Sequence, residues 1–513
     1  MGRQRQRGMI FDVESWLGEG VIAEDSLYWV LAHDGGRVAR DEDYAGLYER
    51  GGRTSWPPSL MVKVLLLQLA DRASDVEAEA RCRFDLRWKY ALGLGLQDKG
   101  PDATTLCTFR ARLLCHEAGR TALVASLKWG KEQGWIKGDI QAIVDSLATA
   151  GAGAQQDTFT LIRKALRELA RSLRGHGVHG AWAQSVLAEP DTKPDVAWND
   201  TAAKNGALTE LVAAADAALL RTADMAQDPQ VQRARELLAR VSGQDVEPAE
   251  VGVQIHQGVA KDRICSVTDP EMRHGHKSST GTFNGYKTDV GIDQASELIT
   301  HATAIAGNAP DGDQLAEEIR RVEEDLQVQV ERVMGDTAYG RPQVREAVEA
   351  DDRQMIAPVQ APVNRGLFTK DNFNIDLEDR SCVCPDGKQG RPKLDGQGVL
   401  IGFQFAPKQC ANCPLRAQCT TSRNGRLVTI RKDEARRQEL RAQQATPEWQ
   451  QTYRQRPRVE RKIAECKRYG MGRARYIGLA KVQLQAWLTA ALVNFKRIAR
   501  LLHAKPQPSM ATA

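Results

Sequence analysis

Apolar positions recur at helical spacing through the first quarter of the chain. Leu60 to Leu69 is a nearly continuous apolar run behind Pro57 and Pro58, and Ser74 with Glu77 makes the capping box of a second helix. After the glycine-rich stretch Gly93 to Gly100, Asp102 to Leu113 predicts another helix, carrying Thr104, Thr105, Thr108, Arg110 and Arg112. Thr and Arg on an exposed face would suit docking on DNA in the helix-turn-helix manner; the alternative is a helical scaffold with ordinary surface arginines. The period then changes. Ile140 to Val144 is a short apolar run ending in Asp145, the pattern of a buried strand that delivers a carboxylate at its C-terminal end.

Beyond Asp145 the helical spacing returns. Ile162, Leu166, Leu169 and Leu173 form a stripe stopped by Gly175. A second stripe uses Leu208, Leu211, Val212, Ala215 and Leu219, and a third helix spans about 231–241. Strand signals resume at Tyr286 to Ile292 and Leu298 to Ile305, a hairpin, succeeded by an amphipathic helix from Asp311 to Leu326. Val328 to Met334 is a strand leading into Gly335-Asp336; a short helix (342–350) and a strand (354–358) come next. With two insertions removed, about 151–263 and 359–448, this order matches an α/β, ribonuclease-H-like mixed sheet flanked by helices. The predicted organisation is an N-terminal helical domain at 1–132 and a catalytic core at 133–358 plus 449–503. The core is interrupted by the helical insertion and by a cysteine-rich insertion at 359–448, and a disordered tail covers 504–513.

The chain has 513 residues, too many for one hydrophobic core, so several domains or a core with large insertions are expected. A hydrophobic content of 42% and a charged content of 27% are ordinary for a globular protein. The net charge is only +5, but it is unevenly spread: residues 451–505 hold 14 Lys and Arg against Glu460 and Glu465. Such a segment fits a polyanion partner, most simply nucleic acid. No signal-peptide apolar region succeeds the basic start, and no run is apolar enough to span a membrane. Five of the ten cysteines crowd one stretch, which fits a cytoplasmic chain with one cysteine-ligand site better than a disulfide framework.

The chemistry concentrates at Tyr453 to Lys467. Tyr453, Arg456, Glu460 and Lys467 would fall within an arc of roughly 60° on one helix. Pro457 cannot donate to Tyr453, so the helix would start there, with Tyr453 and Arg456 placed by the preceding turn. A carboxylate beside two cations and a phenol suits a metal ligand next to a phosphate backbone; a solvated basic helix is the alternative. Asp145, Asp336 and Glu460 at one sheet edge would repel each other without a divalent cation, and oxygen ligands favour Mg²⁺ or Mn²⁺. Two such ions about 4 Å apart activate a water or a 3′-hydroxyl for in-line phosphodiester attack.

The spacing Tyr, two residues, Arg, three residues, Glu, six residues, Lys resembles the signature of one branch of the DDE transposases of bacterial insertion sequences. The helical run from Ser59 to Leu94 and PDATTLCTFRARL are similar to their N-terminal helical domain, IVDSLATAGAG to their first-Asp motif and MGDTAYG to their second. TDPEMRHGHKS and FNGYKTDVGID resemble the strands between. The resemblance implies that Asp145, Asp336 and Glu460 hold the catalytic metals and that Tyr453, Arg456 and Lys467 position DNA phosphates. It further implies hydrolysis at the element ends, then attack of the freed 3′-hydroxyl on target DNA. Its partner would be double-stranded DNA, terminal inverted repeats and target, with a homodimer assembled on it. Rival readings are an inactive or repurposed transposon-derived DNA-binding protein, a metal-dependent nuclease without strand transfer, and a zinc-stapled interaction scaffold that would leave the three carboxylates apart.

Cys384, Cys410, Cys413 and Cys419 are spaced C-x25-C-x2-C-x5-C, with Cys382 as a spare. Four thiolates suit tetrahedral Zn²⁺; reduced, unliganded thiols and an iron-sulfur cluster are the alternatives. Arg416, Arg423, Arg426, Arg431 and Lys432 nearby are read as a DNA-facing or simply solvated surface. His274 and His276 read as a loop or phosphate contact rather than metal ligands. Asp289, His256 and His301 carry still less signal, with His301 expected to be a partly buried strand residue.

Overall fold

The computed structural model describes residues 20–48, 55–277 and 281–504, together with Val13 and Leu17; the expected tail lies outside them apart from Ala504. After short helical turns, the N-terminal region is built from α1 (Pro58–Ala70), α2 (Asp75–Phe84), α3 (Leu86–Leu92), α4 (Ala103–Cys115) and α5 (Thr121–Glu132). Its local signals act as expected. Pro58 stands in the first turn of α1, Asp102 caps α4, and at Ser74 the reciprocal bonds with Glu77 close the capping box. Arg110 departs from the expectation of a surface cation. It is buried and donates to Asp75 at 3.0 Å, joining α4 to α2.

The central sheet contains β1 (Asp139–Ala150), then β4 (Arg273–His276), β5 (Thr282–Asp293), β6 (Ile299–Ala306), β7 (Gln329–Met334) and β8 (Gln354–Ile356). Between β1 and β4 lies a small separate hairpin, β2 (Val246–Pro248) and β3 (Val253–Ile255). The main strand order is β6-β5-β1-β7-β8, with β4 beside the first residues of β5. The β1–β5 and β5–β6 pairs are antiparallel, whereas β1–β7 and β7–β8 are parallel. β1 does not stop at Asp145. Leu147 and Thr149 are buried and the strand stays paired with β5 through Ala150, although the parallel β7 ladder ends at Ile143–Met334. His274 and His276 lie in β4 rather than in a loop, and His301 is fully buried in β6.

The helical insertion has four helices, one more than the pattern predicted: α6 (Thr158–Ser172), α7 (Gly177–Ala188), α8 (Thr201–Arg221) and α9 (Pro229–Gly243). They share a core of their own around Ile162, Leu169, Leu208, Val231 and Leu238. Helices α10 (Leu315–Leu326) and α11 (Pro342–Glu349) connect the later strands of the sheet. Residues 311–314, predicted as the start of α10, form a turn instead, and Asp311 pairs with Lys287 at 2.6 Å. The cysteine-rich insertion holds the pair β9 (Asn374–Asp376) and β10 (Ser381–Val383) and the sheet β11 (Arg391–Leu394), β12 (Leu400–Gln404) and β13 (Leu427–Thr429). Then come α12 (Glu434–Gln444), α13 (Pro447–Tyr453) and α14 (Pro457–Arg468), which lead into the long helix α15 (Leu479–Leu502).

Helix α15 covers the free edge of β6. Asn494 accepts from the Ile299 amide at 2.7 Å and donates to its carbonyl at 2.9 Å; Gln483 does the same for Ala304 (2.7 Å) and Ala302 (2.8 Å). These two side chains replace a missing strand neighbour, which satisfies the edge and closes it to other chains.

Candidate active site

Three separate elements deliver acids to one place. Asp145 sits on β1 two residues past the last pair of the parallel ladder, and Asp336 lies two residues past Met334, the end of β7. Asp336 therefore leaves the sheet, and Asp145 stands within β1, where the parallel pairing runs out, the edge at which open α/β sheets bind ligands. The turn after β7 is tightly fixed. Asp336 accepts from the Ala338 amide at 2.8 Å, Gly335 donates to Ile356 at 3.0 Å, and a Cβ on Gly335 would lie 2.7 Å from that of Tyr339.

The third acid comes from α14, which buries Val459, Ile463 and Cys466 against β1 and β5. That burial turns Glu460, in the first helical turn, toward solvent above the strand ends. The segment after α14 returns to β1: Ala150 donates to Gly472 at 3.0 Å and accepts from Ala474 at 2.8 Å. Helix and strand are thereby locked together.

Arg456 stands at the centre. Its Nη2 lies 2.9 Å from Asp145 and 3.9 Å from Asp336, while Nη1 donates to Glu460. The guanidinium and Asp145 are largely buried, whereas the Asp336 and Glu460 side chains are 40% and 53% exposed, so the cluster opens to water on one side. Burial is the main cause of a raised Asp145 pKa; Arg456 opposes it, and the neighbouring Asp336 and Glu460 charges add to it. The acids meet at the guanidinium rather than at one another. Among the described residues, no three His, Cys, Asp or Glu side chains are gathered into an ion-binding group.

Tyr453 and Arg456 belong to the end of α13 and the turn before α14, because the helix starts at Pro457. Tyr453 is half-buried and stacks on Trp449 with centroids 4.8 Å apart; burial raises its pKa. Lys467 is on the exposed side of α14, its pKa lowered by partial desolvation and then by the Lys277 ammonium. The pattern gave no hint of Lys277 as a neighbour, since 190 residues separate the two in the chain.

A second acidic group, weakly signalled by the sequence, lies beside the first. Asp289 on β5 is buried, accepts from the Gly312 amide at 3.1 Å, and has its pKa pushed up to about 7 by burial and then by Asp311. Its Oδ1 and the Tyr339 hydroxyl are both buried without a hydrogen-bond partner. The Tyr339 phenol is held well above its ordinary pKa, first by burial and then by Asp289 and Asp311.

In the cysteine-rich insertion, Cys384, Cys410, Cys413 and Cys419 all line one small cavity of about 30 Å³. The Cys384 and Cys410 sulfurs accept backbone hydrogen bonds from Lys388 (3.3 Å) and Arg426 (3.4 Å). Cys382 is turned into the insertion's core, where burial pushes its thiol up to about 11, and burial also raises the Cys419 thiol.

Residues 383–499 match a family model described as a transposase DDE domain, and residues 33–112 match one described as a transposase domain (DUF772). The chain is thus similar to transposases at its N-terminal helices and from the cysteine-rich insertion through α14 and most of α15. Glu460, Arg456, Tyr453 and Lys467 fall inside the DDE match; Asp145 and Asp336 fall outside both. No curated protein and no solved structure matches the chain. Among the described residues, no helix is long and apolar enough to cross a membrane.

Proposed function

We propose that this protein is a DNA transposase that cleaves phosphodiester bonds at the ends of its element and joins the 3′-hydroxyl to target DNA. One observation carries the reading: carboxylates from β1, the turn after β7 and α14 meet on a single guanidinium at the open edge of the sheet. In this reading residues 1–132 engage the DNA ends, and 133–358 with 449–503 form a ribonuclease-H-like catalytic core. The insertion 359–448 is an accessory module, and two protomers pair the two ends.

The donor set fits a hard divalent cation, because it is made of carboxylates alone; burial chiefly, and then the Asp336 and Glu460 charges, raise the pKa of Asp145. Asp145, Asp336 and Glu460 would hold Mg²⁺ or Mn²⁺. Such ions, when bound, make a water or 3′-hydroxyl nucleophilic and stabilise the leaving oxygen. The protein's own part is charge exchange and positioning. Arg456 neutralises the carboxylates in the free protein and turns to a phosphate when DNA enters, which releases the acids as ligands. Tyr453 and Lys467 flank it with a hydroxyl and an ammonium for neighbouring phosphate oxygens. Placement of the scissile bond then supplies much of the rate, without a covalent protein intermediate.

The cysteine-rich module belongs to the same proposal. Its core consists of only six buried apolar side chains, Phe373, Cys382, Phe403, Phe405, Val428 and Ile430, which is little for a module of this length. Zn²⁺ on Cys384, Cys410, Cys413 and Cys419 would supply the missing staple. Protein purified without air exposure should carry one zinc per chain, lost in Cys413→Ser; zinc-free, iron-free wild type would leave reduced thiols as the answer.

The experiment for the main reading presents a labelled duplex with a pre-cut 3′-hydroxyl at the terminal inverted repeat, a plasmid target, and Mg²⁺ or Mn²⁺. Joined molecules are expected. Cutting of any DNA without joining would reduce the protein to a nuclease, and end binding without either reaction would make it a DNA-binding protein.

A further inference from the structure

We infer that the cysteine-rich insertion and α12 together form a second DNA site, a cationic groove that takes the phosphodiester backbone. The inference rests on the reading of this protein as a DNA-acting enzyme. The groove has a volume of about 370 Å³ and runs between residues 360–364, the edge strand β13 and α12. Lys370, Arg426, Arg431, Arg437 and Arg441 line it, and no Asp or Glu does.

The acids that serve these cations are outside the groove's lining. Glu434 is buried and accepts from Lys370 and, at 3.2 Å, from Arg441; Asp433 accepts from Arg437 Nε at 2.7 Å, and Asp371 lies 3.7 Å from Arg441. Arg426 is held by its plane over Phe373 and by a 3.0 Å bond from Nη2 to the Phe368 carbonyl, while its Nε is buried without a hydrogen-bond partner. Arg431 is exposed, and among the described residues neither it nor Arg426 is ion-paired. The groove is thus lined by five cations, three of them held by carboxylates that are not part of its lining. That arrangement presents guanidinium forks to an anion with little ordering left to do, and phosphate oxygens match those forks.

Chain connectivity favours a polymeric anion over a small one. Helix α12 packs against α13, which ends at Tyr453, so consecutive helices carry the groove and the first of the proposed phosphate contacts at the active site. A duplex backbone, with phosphates at regular intervals, can engage both.

The test is the salt dependence of binding of a fluorescent inverted-repeat duplex to the full-length protein. Each lost phosphate contact lowers the slope of log affinity against log salt by about 0.9. Arg431→Gln should lower it by about 0.9, and Arg426→Gln with Arg431→Gln by about 1.8, with the single variant's melting temperature unchanged. Arg431→Lys should retain most of the slope, because it keeps the charge. Wild-type slopes in both Gln variants would overturn the groove while leaving the transposase reading standing; failure of the wild type to bind the duplex would overturn that reading instead. Competition by polyglutamate equal to that of DNA, lost in Arg431→Gln, would assign the groove to an acidic protein partner and overturn the proposal.

Discussion

Two acidic groups share the central sheet, and they are neutralised in different ways. Asp145, Asp336 and Glu460 face an arginine that comes from the turn before α14, and two of the three side chains reach solvent. Asp289 and Asp311 are served by Lys287 on β5, 2.6 Å from Asp311, and by a proton that burial and Asp311 keep on Asp289 up to about pH 7. The first group can exchange its counter-ion with what arrives from water. The second is closed in and can exchange only a proton. Charge that can be re-partnered is the mark of machinery, and charge that cannot is the mark of a support, here one that ties the turn at Asp311 and Gly312 to β5.

The contrast is sharpest when one charge is removed from each group. Asp336→Asn keeps the shape and should lower cleavage by at least about 10³-fold, the scale of losing a preorganised electrostatic partner, with end binding and melting temperature largely retained. Lys287→Met should show the reverse profile. Leaving Asp311 unpaired beside Asp289 should cost on the order of 3 kcal/mol in denaturant unfolding, with cleavage per folded molecule little changed. If Lys287→Met silenced a fully stable protein, the distinction between the groups would fail.

A third test uses pH. Asp289 faces Asp311, the Lys287 ammonium, the Tyr339 hydroxyl and the Gly312 amide. Its pKa rises from an ordinary value near 3.8 to about 7 on folding, so the folded state holds the proton more tightly. The associated stability is fully present below pH 3.8 and is lost as pH rises through about 7. Asp289→Asn removes that loss. Its stability relative to wild type should climb by a few kcal/mol between about pH 4 and about pH 8, a trend that a pH series of unfolding curves would show or refute. The smallest effect is expected from Tyr339→Phe. Its hydroxyl faces Asp289, which the Gly312 amide also serves, so the change should stay within about 1 kcal/mol.

The order of elements was legible in the sequence because each carried a local signal: the capping box at Ser74, the hairpin around Gln294, the apolar stripe of α10. Other features depend on partners far away in the chain. β1 runs past Asp145 because Leu147 and Thr149 find β5, but in SLATAGAG the residues are too small to show a clear period of two. α7 was hidden by Gly177 and Gly180, which weaken helical propensity. Arg110 looked like a surface cation because its partner Asp75 is 35 residues away. Of the site, the spacing from Tyr453 to Lys467 and the two aspartates could be read directly, although Asp145 lies within β1 rather than at its end. Arg456 as the common counter-ion could not, since contacts spanning 311 residues leave no periodic trace.

We propose that Asp145, Asp336 and Glu460 act as one divalent-metal site on DNA. The most direct measurement is nicking of a labelled duplex bearing the terminal inverted repeat, with Mg²⁺ or Mn²⁺, by wild type and by Glu460→Ala. The account predicts metal-dependent nicking at the repeat boundary by the wild type and none by Glu460→Ala, with both proteins binding the duplex. Equal nicking by the two proteins would contradict it.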